Sequence, residues 1–288
     1  MKEDFSRTDE SICKIIRAMK ISGILSKMKT SLVNPISYGL VLREVHFDLT
    51  GLVGKQLKLS YAGKIFCTNC GTKTKKSYSQ GYCFPCTIKL AECDLCILKP
   101  ETCHYEKGTC REPKWGEENC FRPHIIYLAN SSGLKVGITR KTQVPTRWID
   151  QGASEALPIL EVQNRFVSGK IEMLFKKHIS DKTDWRKMLK GEPESINLIE
   201  WRDKLLLELK DELKAFDYTP INEEVVKINY PVQMYPEKVT SFNLDKVPEI
   251  NGRLIGIKGQ YLIFDTGVLN VRSHTGYEIT LEEIHANA

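Results

Sequence analysis

Nine of the ten cysteines fall between Cys67 and Cys120, in a stretch too polar to build an aliphatic core. That clustering limits what the chain can fold into more than any other feature does. Two pairs share one spacing, Cys67-Thr-Asn-Cys70 and Cys83-Phe-Pro-Cys86, with twelve residues between them. A Cys-x-x-Cys turn presents two sulfurs at one tight bend, so two such knuckles supply the four thiolates of a closed tetrahedral site. The donor set suits Zn²⁺, which imposes no d-electron geometry and binds thiolate at about 2.3 Å. Gly71 and Gly81 give the backbone freedom beside each knuckle. Iron–sulfur ligation and free thiols are the competing readings. Metal replaces a core here, so chelation is expected to unfold the segment. Four thiolates around one dication leave negative charge. Lys73, Lys75 and Lys76 in the intervening loop would offset it or face phosphates, and a merely solvated turn is the alternative.

A second group follows: Cys93-Asp-Leu-Cys96, then Cys103, His104, Cys110, Cys120 and His124. Cys93 and Cys96 repeat the knuckle spacing and form the firm half of a second expected zinc site. Cys103, His104, Cys110, Cys120 and His124 all remain candidates for the other half. Cys110 and Cys120 are preferred because they would close the loop containing Trp115 and Gly116. One site plus ordinary buried thiols is the alternative.

The cysteines also bear on location. Disulfide frameworks belong to short secreted chains, whereas this chain has 288 residues and 41% hydrophobic content, enough for two or three small cores. Its first twenty residues mix Lys2, Glu3, Asp4, Arg7, Asp9 and Glu10 without an apolar run, unlike a secretory signal. No stretch approaches the roughly 20 apolar residues that span a bilayer. A reducing, cytoplasmic location without membrane partners is expected. Net charge is +6, from 42 basic and 36 acidic residues, which permits a nucleic-acid partner without requiring one.

The remaining organisation is read from periodicity. Residues 1–22 form an N-terminal extension with a ragged helical pattern, in which Cys13 reads as a buried apolar thiol. Residues 23–66 hold short apolar runs broken by turns, a small antiparallel β segment. The cysteine-rich region occupies 67–123 and a mixed core 124–192, with a helix expected over Ser168–Ile179. Residues 193–217 carry apolar positions at three-to-four spacing, as in an amphipathic helix. Residues 218–288 return to a strand pattern and are expected to complete a small barrel with the first β segment. The fold class is therefore α+β.

Within 124–192, Ile125-Ile126-Tyr127 reads as a buried strand, Lys135-Val136-Gly137 as part of a second, and Arg147-Trp148 as the start of a helix. Strand, turn, strand with glycine, then a helix bearing arginine resembles the GIY-YIG nuclease core. In that family the tyrosines and arginine help activate water and stabilise phosphate, and a later glutamate binds a divalent metal. The resemblance implies Tyr127 near the nucleophile, Arg147 against charge building on phosphorus, and Glu172 holding Mg²⁺ or Mn²⁺. Lys135 stands where the family type has tyrosine and would hold phosphate as a point charge. Trp148 reads more readily as a packing residue than as a base-stacking one. The chain as a whole also resembles an uncharacterised bacterial family, domain of unknown function 2797. Tyr82-Cys83-Phe84-Pro85-Cys86, Gly108-Thr-Cys-Arg-Glu-Pro113, Lys135-Val-Gly-Ile-Thr-Arg140 and Pro145-Thr-Arg-Trp-Ile-Asp-Gln-Gly152 carry that likeness.

The expected function is a zinc-containing nucleic-acid-binding protein, with metal-dependent endonuclease chemistry on DNA or RNA as its catalytic form. The alternatives are a binding module that keeps the core without cleavage and a zinc-stapled protein-interaction scaffold.

Overall fold

The computed structural model describes residues 19–284, so Cys13 and the helical pattern read before it lie outside the described residues. Strands β1 (Lys20–Ser31), β2 (Ser37–Leu42), β3 (Val45–Asp48), β4 (Gln56–Phe66) and the short β5 (Lys73–Thr74) come first. The cysteine-rich stretch holds helices α1 (Phe84–Lys89) and α2 (Pro113–Asn119), joined through single 3-10 turns. Next come β6 (His124–Asn130), β7 (Leu134–Arg140), α3 (Thr146–Asp150), β8 (Glu155–Val162) and α4 (Arg165–Phe175). Helices α5 (Trp185–Met188), α6 (Leu198–Glu208) and α7 (Lys210–Leu213) lead to the short strands β9 (Thr219–Pro220) and β10 (Val226–Lys227). Strands β11 (Glu249–Lys258), β12 (Tyr261–Phe264), β13 (Gly267–Asn270) and β14 (Tyr277–Glu283) complete a mixed α+β fold. Among the described residues no helix is long and apolar enough to cross a membrane.

The two β segments do meet. A nine-stranded antiparallel sheet runs β13-β12-β11-β4-β14-β1-β2-β3, with β5 also on β4. Strand β14 lies between β1 and β4, pairing Leu281 with both Ile21 and Leu59. Strand β11 continues the sheet on the other side of β4, where Ile250 faces Leu59. Alternation explains the pairing: Leu57, Leu59, Ile250, Ile279 and Leu281 are all buried and share one core. The sheet stays open, however, and the expected barrel is corrected. The edge of β13 is covered by residues 240–242, where Phe242 N–H donates to the Val268 carbonyl and Val268 N–H to that of Thr240, each at 2.8 Å. The other edge, β3, is four residues long and largely exposed, too short and polar to close a barrel. The first strand begins at Lys20, inside the span read as an extension.

A second, five-stranded sheet runs β10-β8-β6-β7 with β9 on β8, again antiparallel. Every residue of β6 is buried, and its two faces serve different cores. Ile126 and Leu128 pack with Ile171 and Phe175 of α4 and Leu205 of α6. Ile125, Tyr127 and Ala129 join Trp148 and Ile149 of α3 in the core of the large sheet. The α4 helix starts earlier than periodicity suggested because Asn164 Oδ1 accepts from the Val167 N–H at 2.9 Å and fixes the first turn. The amphipathic helix is split at Leu209 into α6 and α7.

Ile279 is fully buried in the strand that links both halves of the large sheet. Ile279→Ala should therefore destabilise the protein by about 2–5 kcal/mol. Urea unfolding checks this, and an unchanged midpoint would show that the junction at β14 is dispensable.

Candidate functional site

The first knuckle pair closes as its spacing requires. One ligand atom from each of Cys67, Cys70, Cys83 and Cys86 lies within 4.8 Å of every other, and the Cys70 and Cys83 sulfurs stand 3.7 Å apart. Gly71, at φ 71°, turns the first knuckle so that its N–H donates to the Cys67 carbonyl at 2.9 Å. Thr68 N–H donates to the Gly81 carbonyl at 2.8 Å and ties the knuckles together. Asn69 Nδ2 donates to Cys86 Sγ at 3.4 Å. This four-cysteine set is able to hold a metal ion such as zinc. Lys73, Lys75 and Lys76 are exposed beside it, Lys76 lying over the Tyr78 ring at 5.2 Å from its centroid.

The second group does not assemble as Cys93, Cys96, Cys110 and Cys120. Cys93 ends one 3-10 turn and Cys96 sits in the next, with Asp94 extended between them at ψ 153°. The pair therefore straddles two turns instead of forming a knuckle. Cys93 faces Ser79 and Cys67, whereas Cys96, Cys103, Cys110 and Cys120 surround a separate small cavity. His124 takes no part in that cavity. It is fully buried at the start of β6, with Nδ1 against the Arg122 carbonyl at 2.7 Å, and burial holds its pKa down to about 4.

A larger cavity, of about 340 Å³, opens where both sheets and the cysteine-rich stretch meet. Its walls carry seven basic side chains against three carboxylates. Lys135 comes from β7, Arg147 from α3, and Glu172 from α4. Lys27 of β1 and Arg272, just before β14, reach in from the large sheet, while Ile97, Leu98 and Pro100 close it from the cysteine-rich side. Two of the acids are already neutralised. Asp150 pairs with Lys27 and accepts from Gln260 Nε2 at 2.9 Å, and Asp181 pairs with Lys176 at 2.7 Å. Among the described residues the Glu172 carboxylate makes neither a hydrogen bond nor an ion pair. Its pKa is raised by burial and by Asp181, with Lys176 and Lys135 opposing. An anionic ligand, or a cation shared with one, would find its charge complement here.

The structure brings Arg147, Glu172 and Lys135 to one cavity and places Tyr127 directly behind its wall. Tyr127 is fully buried opposite Gly137 in the β6–β7 register, and its hydroxyl donates to Gln151 Oε1 at 2.7 Å. The same Gln151 oxygen accepts from Lys135 Nζ at 3.2 Å. Gly137 is required by this arrangement, since a Cβ there would sit 2.5 Å from the Tyr127 hydroxyl. Burial pushes the Tyr127 phenol up to about 12, with Arg147 opposing the rise. Lys135 is pulled down to about 8, first by burial and then by repulsion from Arg147. Trp148 is buried against Tyr127, with ring centroids 5.9 Å apart. Lys73, Lys75 and Lys76 do not line the cavity.

Sequence reading missed several cavity residues. Arg165 and Lys176 stand at helical spacing from Glu172 along α4 and its C-cap, so a face count from Glu172 would have found them. Lys27 and Arg272 are 245 positions apart and meet only through the strand order of the large sheet. No local signal marks them.

Two consequences are measurable. Gly137→Ala forces a methyl into Tyr127 and should cost about 1–3 kcal/mol in urea unfolding; full stability would mean that the two strands do not pair as described. Lys135 supplies a pH test. Its native pKa of about 8 lies below the ordinary 10.5, so across that window the native state releases a proton that the unfolded chain keeps. Stability should therefore rise with pH over the window, and Lys135→Met should flatten the rise. Superimposable profiles for the two proteins would show that Lys135 titrates normally.

Comparison with curated proteins and with solved structures gives no match. One family match spans residues 54–279, from the turn before β4 into β14, and so takes in the knuckles, every cavity residue but Lys27 and most of the large sheet. The chain belongs to that family, described as "Protein of unknown function (DUF2797)".

Proposed function

We propose that the protein binds nucleic acid and cleaves its phosphodiester backbone in the basic cavity with the help of Mg²⁺ or Mn²⁺. The observation that carries this reading is the Glu172 carboxylate, half-buried and, among the described residues, without a hydrogen-bond or ion-pair partner, in a cavity otherwise dominated by Arg147, Lys135 and Arg272. In this reading Glu172 holds the divalent ion, which supplies Lewis-acid polarisation of the phosphate. Arg147 and Lys135 take the non-bridging oxygens and stabilise charge that grows on phosphorus. Lys135 also titrates close to neutrality, so its ammonium can return a proton to a leaving oxygen. Tyr127 acts as a positioning residue: its hydroxyl fixes Gln151, and Gln151 fixes the Lys135 ammonium. The GIY-YIG-like order of strands, arginine and glutamate supports the same chemistry. Zinc in the Cys67, Cys70, Cys83 and Cys86 set staples the adjoining segment, and Lys73, Lys75 and Lys76 contact phosphates flanking the cut.

One observation favours a second reading, a binding module without cleavage. The Tyr127 hydroxyl is committed to Gln151 and does not line the cavity, so a phenol is not presented to an attacking water.

A cleavage panel of single- and double-stranded DNA and RNA with Mg²⁺ or Mn²⁺ separates the two. Glu172→Gln and Arg147→Ala should each lower cleavage by about 10²-fold or more, the usual cost of removing transition-state charge stabilisation. Fluorescence anisotropy should show that Glu172→Gln still binds. Salt-sensitive binding without cleavage selects the binding module. Equal cleavage by all three proteins, or no binding at low salt, overturns the assignment of this cavity.

A further inference from the structure

Four thiols outside the first knuckle pair converge without being used by anything described so far. Cys96 comes from a 3-10 turn, Cys103 from the end of the next, Cys110 from the loop before α2, and Cys120 from the cap of α2. All four line one small cavity. Cys103 and Cys120 also line a neighbouring small cavity together, beside Tyr105 and Asn164. Helix α2 is pressed onto the group: a Cβ on Gly116 would fall 3.0 Å from Cys110 Sγ and 2.6 Å from the Tyr105 ring. None of the four is in a disulfide.

Other donors at this cavity have partners. Asp94, Cys96 and His104 also approach within 4.8 Å of one another. Asp94, however, accepts from the Cys96 N–H at 3.2 Å and pairs with Arg111 at 2.6 Å. His104 Nδ1 is bonded to Thr109 Oγ1 at 2.9 Å. Cys110 Sγ makes a 3.5 Å contact with the Glu112 carbonyl. The four sulfurs that face the cavity are a soft donor set whose preferred partner is a thiophilic divalent ion. Tetrathiolate zinc carries two net negative charges, and a counter-charge is in place. The Arg165 guanidinium donates to the Cys96 carbonyl at 3.4 Å and the Ile97 carbonyl at 2.7 Å.

The geometry points to a second structural zinc site formed by Cys96, Cys103, Cys110 and Cys120, whose occupancy holds one wall of the basic cavity. Binding releases the four thiol protons to solvent and changes no oxidation state. The coupling to the wall runs through three contacts with α4. Arg165 is anchored on the ligand loop, its own N–H donates to the Cys120 carbonyl at 2.8 Å, and Gly169 abuts the Pro100–Glu101 backbone so closely that a Cβ would collide with it. The same loop contributes Ile97, Leu98 and Pro100 to the cavity, and α4 carries Glu172. The site does not depend on what the cavity does, so its failure and that of the phosphodiesterase reading are separate results.

Metal content of the purified full chain tests the site. Wild type should carry two equivalents of zinc, and Cys103→Ser and Cys96→Ser should each carry one. Cys93→Ser and His104→Ala should keep two. One equivalent in wild type, or loss of an equivalent in Cys93→Ser or His104→Ala, overturns the assignment. Wild-type stoichiometry and the two controls decide the matter even if Cys103→Ser fails to fold. Where it folds, amide exchange in Arg165–Phe175 should accelerate while that of β14 stays unchanged; unchanged exchange in α4 would remove the coupling to the cavity wall.

Discussion

Strand β6 cannot be exposed on either side, and the arrangement of the molecule follows from that. A strand apolar on both faces needs a cover on each. Helices α4 and α6 cover one face through Ile126 and Leu128, while α3 and the large sheet cover the other through Ile125, Tyr127 and Ala129. The two sheets are therefore held together by a shared core and not by a linker. The basic cavity lies along this seam, and its residues come from both sides because the seam itself does.

Tyr127 shows how closely packing and chemistry are bound at that seam. It contributes to the core beside Trp148, yet its hydroxyl needs a polar partner, and Gln151 at the end of α3 provides one. Gly137 leaves the space for the hydroxyl to reach it. The third participant, Lys135, loses hydration when the strands pair and, among the described residues, has neutral oxygens, from Gln151 and Thr183, as its ammonium's hydrogen-bond partners. The same burial that stabilises the strand makes the amine unusually ready to lose its proton.

How much of this was legible in the sequence depended on distance along the chain. Cys67, Cys70, Cys83 and Cys86 were legible because a knuckle is a local object: two residues of spacing fix two sulfurs. Arg147, Glu172 and Lys135 were proposed from short motifs, and the fold brings all three to one cavity. Cys93 and Cys96 share the spacing of a knuckle, but the backbone at Asp94 is extended between them and Cys96 alone of the two lines the small cavity. The β segments at the two ends announced themselves by alternation, but alternation says which residues face inward and not which strands are neighbours. That the two segments meet was therefore a conjecture beyond what alternation shows, and the open edges left no signal in it. Lys27 and Arg272 were invisible for the same reason.

The position of β14 has one further consequence. It is the strand that joins β1 to β4, and β1 carries Lys27, while Arg272 lies just ahead of β14 in the chain. The wall containing Lys27 and Arg272 therefore depends on β14 pairing with β1 and β4 at once, so a change at this one strand reaches the charge of the cavity without touching a residue that lines it.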